Sequence, residues 1–133
     1  MRWRAAAADE RGSSAVEFVL VGSLLTVLTL AVLQLGLAIY VRNVVHDAAV
    51  EGAHYAALAD TTLLEGAERT KLSIARAVGE SFADDITVAE SDHLGYPTAV
   101  ITVRTTLPVI GLLGVPYAME VEADAPLESL GEQ

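Results

Sequence analysis

Between Phe18 and Val41 the chain carries 24 consecutive residues without a charge. As a helix such a run extends for about 36 Å, longer than the ~30 Å hydrocarbon core of a bilayer. Its clearly polar members are Ser23, Thr26, Thr29, Gln34 and Tyr40. The two threonines and the serine can bond back to carbonyls of their own helix, which removes their cost in lipid. A chain this short has too little other apolar mass to wrap the run on all sides, so the pattern predicts a transmembrane helix rather than the buried core helix of a soluble domain.

The periodicity changes after Arg42. Ala48, Ala49, Gly52, Ala53, Ala56 and Ala57 recur at spacings of three and four, so the helix is expected to continue with one smooth face. Ala49, Gly52, Ala53 and Ala56 are its candidate packing residues, lying either on the protein's own sheet or against a neighbouring subunit. Thr62-Leu-Leu-Glu65 has the form of a capping box and predicts a second, amphipathic helix from Leu63 to about Phe82. Its apolar stripe is Leu64, Ala67, Ile74, Val78 and Phe82. Period-two alternation follows in Ile86 and Val88, in Ile101, Val103 and Thr105, and in Tyr117, Met119, Val121 and Ala123, predicting three strands. Residues 91–98, with Gly95 and Pro97, read as the first turn. The second connection, Pro108 to Pro116, is apolar throughout, and either tucks over the open end of the sheet or stands exposed as an interaction patch. The tail after Pro126 is expected to be loose.

The predicted class is therefore α+β: a long N-terminal transmembrane helix continuing outside the membrane, a second amphipathic helix and a small antiparallel three-stranded sheet. The expected division is 1–12, 13–60 for the helix and its extension, 61–126 for an α+β head, and 127–133 for the tail.

Charge sets the direction of insertion. Arg2, Arg4 and Arg11 precede the run and only Arg42 follows it closely, so the N-terminus is expected inside and the head extracytoplasmic. Eight Lys and Arg against 18 Asp and Glu, a formal charge of −10, argue against nucleic acid or anionic surfaces as partners. Without cysteine there is no disulfide, thiolate metal site or cysteine nucleophile. An ordinary secretory signal has a shorter apolar region closed by small residues at a cleavage site, which this run lacks.

One acid, Glu17, stands at the lip of the run, five residues after Gly12 in the stretch Gly12-Ser13-Ser14-Ala15-Val16-Glu17-Phe18. A basic leader, a glycine, a glutamate and only then the apolar helix resembles the leader of type IV pilin-like proteins. The stretch "GSSAVEFVLVGSLL" further resembles the TadE-like family of the tight adherence (Tad, or Flp) pilus system, and the likeness continues through residues 41–60. Gly22 stands where many members have proline, and His54 where arginine is common. The resemblance implies a pilin-like fold and cleavage by a prepilin peptidase between Gly12 and Ser13, leaving Glu17 as the fifth residue of the mature chain. It also implies partners: a sister pseudopilin, the major Flp pilin and an inner-membrane platform, in a pilus used for adhesion or secretion.

A carboxylate entering apolar surroundings needs a partner. The freed α-amino group of Ser13, in the same or a neighbouring chain, is the expected one, with Glu17 and Phe18 setting register between subunits. The alternative is a solvated first-turn acid favourable to the helix dipole.

Other chemistry is sparse. His46 and His54 fall about 80° apart on a helix, poor geometry for zinc, and with His93 are expected to be solvated. Neither Asp84-Asp85 nor Glu90-x-Asp92 has the ligand count of a calcium loop. The glycines of residues 108–116 lack the spacing of a phosphate cradle. No Ser, His and Asp set sits in recognisable context, so neither catalysis, cofactor nor small-molecule substrate is expected. A structural role in pilus assembly is the leading expectation. The rivals are an uncleaved signal-anchored envelope protein whose acidic head binds a partner, and a small envelope hydrolase.

Overall fold

In the computed structural model, which describes residues 6–93, 95–110 and 113–128, one helix, α1, runs Ala6–Ala56. The chain separates into two compact units, Met1–Gly36 and Leu37–Gln133. The boundary lies inside α1, between Gly36 and Leu37.

In the first unit every residue from Gly12 to Leu33 is exposed. No part of the most apolar stretch of the helix is buried in the protein, and the helix is long and apolar enough to cross a membrane. In the second unit α1 becomes one-sided: Val41, Val45, Ala48, Ala49, Ala53 and Ala56 are buried, while Arg42, His46, Asp47 and Glu51 are exposed. The helix ends where its last carbonyls find other donors, Thr61 Oγ1 donating to the carbonyls of Tyr55 at 2.5 Å and Leu58 at 3.1 Å.

Helix α2 spans Leu63–Ala77 behind the expected capping box. Glu65 N donates to Thr62 Oγ1 at 3.3 Å, and Thr62 N donates to Glu65 Oε2 at 2.7 Å, so two free helix-end donors are satisfied together. The helix stops short of the expected Phe82. Gly79 adopts φ +113°, ψ 157°, a conformation open almost only to glycine, and a 3₁₀ turn at Glu80–Phe82 follows. The buried stripe also differs from the expected one. Leu64 is 68% exposed, whereas Gly66, Ala67, Thr70 and Ile74 are buried and Leu63 packs at their end. Spacings of four, three and four from Leu63 define that face, and Leu64 lies about 100° away from it.

Three antiparallel strands, β1 Asp85–His93, β2 Tyr96–Ile110 and β3 Leu113–Pro126, form a sheet in the order β1-β2-β3. Ile86 faces Val103 and Val88 faces Ile101, while Val103 faces Val121 and Ile101 faces Ala123. One face of the sheet joins the α1 side chains and Ile74 in a single core. Thr105, also buried, donates from Oγ1 to the carbonyl of Phe82 at 2.8 Å and so ties the 3₁₀ turn to β2.

Four expectations require correction here. The first turn is not residues 91–98: β1 and β2 are joined by two residues, with Gly95 at φ +85°. Pro97 lies in β2 opposite Asp92. Residues 108–116 are not a free connection either, because Pro108 pairs with Gly114 and Ile110 with Leu113, lengthening the β2–β3 hairpin. Tyr117 is 64% exposed, not inward-facing. The register slips between Thr105 and Leu107, which places extra β3 residues opposite Thr106, and Tyr117 absorbs the slip at φ +55°. Finally, the start of the tail is tied down, Leu127 N donating to Pro97 O and Glu128 N to Ala57 O, each at 2.9 Å.

Candidate assembly interface

Sequence-predicted site residues fall into two sets, one in each unit. In the first unit, Gly12, Ser13, Glu17 and Phe18 are all exposed on α1. A spacing of four brings Ser13 and Glu17 to one side of the helix, one turn apart. Ser13 Oγ donates to Glu17 Oε1 at 3.3 Å. A group on residue 13 can thus reach the carboxylate without any change in the helix.

Above this pair the serine and both threonines of the run bond back to their own helix. Ser23 donates to the carbonyl of Val19 at 2.7 Å, and Thr26 and Thr29 to those of Gly22 and Leu25 at 2.8 Å. The surface that remains is apolar on every side, Phe18, Leu20, Leu24, Leu28 and Val32 among the large exposed side chains. Such a surface suits lipid or the equally apolar helices of neighbouring subunits.

The second set lies buried within the chain. Ala49, Gly52, Ala53 and Ala56 are all covered. A Cβ on Gly52 would overlap Thr70 Oγ1 and stand 2.7 Å from the Gly66 carbonyl oxygen, with Ile101 Cδ1 at 3.0 Å. A Cβ on Gly66 would in turn overlap that of Ala56 and stand 2.6 Å from the Gly52 carbonyl oxygen. The two helices therefore approach through paired glycines, with β2 directly behind. Gly66 and Thr70 were not among the residues singled out from the sequence. The signal was present as a glycine in the middle of a helix, a position that normally needs a packing reason.

Outside this contact an exposed clamp links the same helices. Glu51 accepts from Arg69 Nε at 2.9 Å and from Ser73 Oγ at 3.2 Å, and Arg69 lies over the Tyr55 ring at 5.0 Å. On the outer face of the sheet Arg104 Nε donates to Glu120 Oε2 at 2.6 Å, which holds the guanidinium pKa above its ordinary value. His46 and His54 are exposed, and the side chain of His93 lies outside the described residues. Among the described residues no group of three or more His, Asp and Glu side chains could hold a metal ion.

The interface geometry thus centres on a helix that carries Glu17 at the start of its exposed apolar surface and Arg42 at the end. Residues 12–54 match the family described as TadE-like protein. The TadE-like segment begins at Gly12 and takes in the whole apolar run together with most of the small-residue face. The match covers about a third of the chain, and the same segment holds the exposed helix that is long and apolar enough to cross a membrane. Comparison with curated proteins and with solved structures finds no match.

Proposed function

We propose that this protein is a pilin-like structural subunit of a Tad pilus, made as a membrane precursor with its head outside and released for assembly by cleavage between Gly12 and Ser13. The observation that carries this reading is the TadE-like match starting at Gly12, immediately before the Ser13–Glu17 pair. A prepilin peptidase is the expected processing partner. A sister pseudopilin, the major pilin and an inner-membrane platform are the expected assembly partners.

Cleavage converts the backbone nitrogen of Ser13 into an amine with a reference pKa of about 8, a cation at neutral pH. One helical turn away, Glu17 is its natural counter-ion within the chain. In an assembly the same carboxylate pairs instead with the amine of an adjacent subunit, and because a mismatched pair leaves both charges unpaired in apolar surroundings, axial register follows. The exposed apolar surface of residues 18–33 supplies the helix-to-helix contact but is too uniform to fix position by itself. Glu17 provides the position.

Mass analysis of the protein recovered from its host membrane tests the reading. The expected chain starts at Ser13, and in a strain lacking prepilin peptidase the leader is retained. A chain that keeps its leader in both strains overturns the subunit reading and leaves an anchored envelope protein with an acidic head. Replacing Glu17 by alanine is expected to abolish co-purification with pilin-like partners while processing continues.

A further inference from the structure

The head carries an apolar feature that the assembly reading does not use. From Thr105 to Met119 there are 15 residues without a charge, bracketed by Arg104 and Glu120. They include the far end of the β2–β3 hairpin, which runs antiparallel to the adjoining part of α1. Ile101 lies beside Gly52, Leu107 shares a cleft with Ala38, Ile39 and Arg42, and Pro108 shares one with Leu37, Tyr40 and Val41. Leu37 to Val41 are the last residues of the uncharged run, and Arg42 marks its end. Beyond Pro108 the strand continues to Ile110, about 7 Å further in the same direction.

Leu107 and Pro108 of the hairpin therefore stand level with the end of the uncharged run, where the protein passes from lipid to water. Opposite Leu107 the hairpin exposes Val115, at 50%, and two residues further on Tyr117, at 64%, while on α1 Ile39 is 51% and Tyr40 54% exposed. The backbone at Tyr117, at φ +55°, departs from strand geometry, and its ring stays outside the core. A tyrosine on each of two adjoining elements, at the boundary of an apolar run and next to an arginine able to extend its head toward water, is the arrangement found where proteins meet the membrane interface.

We propose that the β2–β3 hairpin is a second membrane contact, seating Val115 and Tyr117 in the headgroup layer of the outer leaflet and holding the head against the bilayer. The inference rests on the membrane-anchored reading, but not on cleavage at Gly12. The occupant is lipid because this apolar surface continues directly from the end of the transmembrane run. Depth is limited by the open strand edges: unpaired backbone groups are not tolerated in hydrocarbon, so the contact stays shallow.

The chain has no cysteine, so single nitroxide labels can be placed in the full-length protein at Tyr117→Cys, Val115→Cys, Tyr96→Cys and Leu28→Cys. Tyr96, exposed at the opposite end of β2, reports water, and Leu28 reports the transmembrane run. In vesicles of phosphatidylethanolamine and phosphatidylglycerol, collision with oxygen is compared with collision with a water-soluble nickel chelate. The expected oxygen-to-nickel ratio at 117 and 115 is severalfold above that at 96 and below that at 28. Ratios at 117 and 115 equal to that at 96, with 28 reading lipid, overturn the hairpin contact and leave the anchor standing. A water-like ratio at 28 overturns both. Labels at 117 and 115 shielded from both reagents and broadened by like labels nearby would assign the surface to a second copy of the chain and overturn the lipid assignment.

Discussion

Helix α1 makes two different surfaces along one continuous stretch of backbone. Through Gly12 and Gly22, and again at Gly36, a Cβ would meet nothing within 4 Å, and large aliphatic side chains stand exposed on all sides. Fifteen or so residues later, Gly52 cannot take even a methyl group without overlapping Thr70. The first region is uncharged from Phe18 onward, whereas the second mixes alanine and valine with charged and polar residues, so both total hydrophobicity and the distribution of size and charge separate them. Bulky residues all round, with hydroxyls bonded back to the helix, make a surface that must be solvated by lipid or by other subunits. Small residues on one side, with Asp47, Glu51 and His54 on the other, make a surface that brings another backbone close.

The sharpest test of that contrast is the same substitution at both places. Gly52→Ala forces the added methyl group against Thr70 and the Gly66 carbonyl, which the ~1 kcal/mol gain in helix propensity does not offset. A net loss of roughly 1–3 kcal/mol in head stability is expected, read as a lower unfolding temperature of the full chain in detergent micelles. Gly22→Ala should leave that temperature unchanged. Equal effects at the two sites would break the distinction between the regions.

Much of this architecture could be read from short-range pattern. The uncharged run, the Thr62–Glu65 capping box and the inward alternation at Ile101, Val103 and Val121 depend on neighbours within a few positions, so the sequence carries them directly. The end of α2 was missed because Gly79 acts through an uncommon backbone conformation, not through composition. Residues 108–116 looked like a connection because proline and glycine bound an apolar stretch, whereas pairing with the opposite arm of the hairpin makes them strand. Tyr117 was assigned inward by parity, and the register slip between Thr105 and Leu107 broke that parity. Of the candidate site, the Gly12-to-Glu17 spacing was legible in full. The small-residue face was legible as a face, but nothing within it specified Gly66 and Thr70 of the same chain rather than a neighbour as the occupant.

Two glutamates on α1 sharpen the comparison with a smaller effect. Glu51 is engaged inside the chain by Arg69 and Ser73, while Glu17, among the described residues, meets the Ser13 hydroxyl of its own helix. Arg69 and Glu51 are both about half exposed, at 50% and 47%, so solvent screens the pair and its contribution stays under about 1 kcal/mol. Glu51→Ala should lower head stability by up to that amount and leave recovery of pilin-like partners unaffected. Glu17→Ala should do the reverse. A head destabilised by Glu17→Ala would mean that the two regions are not energetically separate.

The smallest expected effect uses pH to isolate the head unit through Glu65, which belongs to α2 alone. Its carboxylate accepts first from the Thr62 backbone N–H and then from the Thr62 hydroxyl, and these bonds lower its pKa below the ordinary 4.5. A carboxyl group with a lower pKa folded than unfolded binds fewer protons in the folded state, so it favours folding while ionised. That contribution is complete above the unfolded value and fades as pH falls from there through the lowered folded value. The stability difference between the wild-type head and Glu65→Gln should therefore be constant from neutrality down to about pH 5 and shrink below it. Because Glu65 is solvent-exposed the change is small, and paired unfolding curves across that range are needed to resolve it. A difference that stays constant down to pH 3 would show that the capping box stabilises α2 through the Thr62 hydroxyl alone, without the glutamate charge.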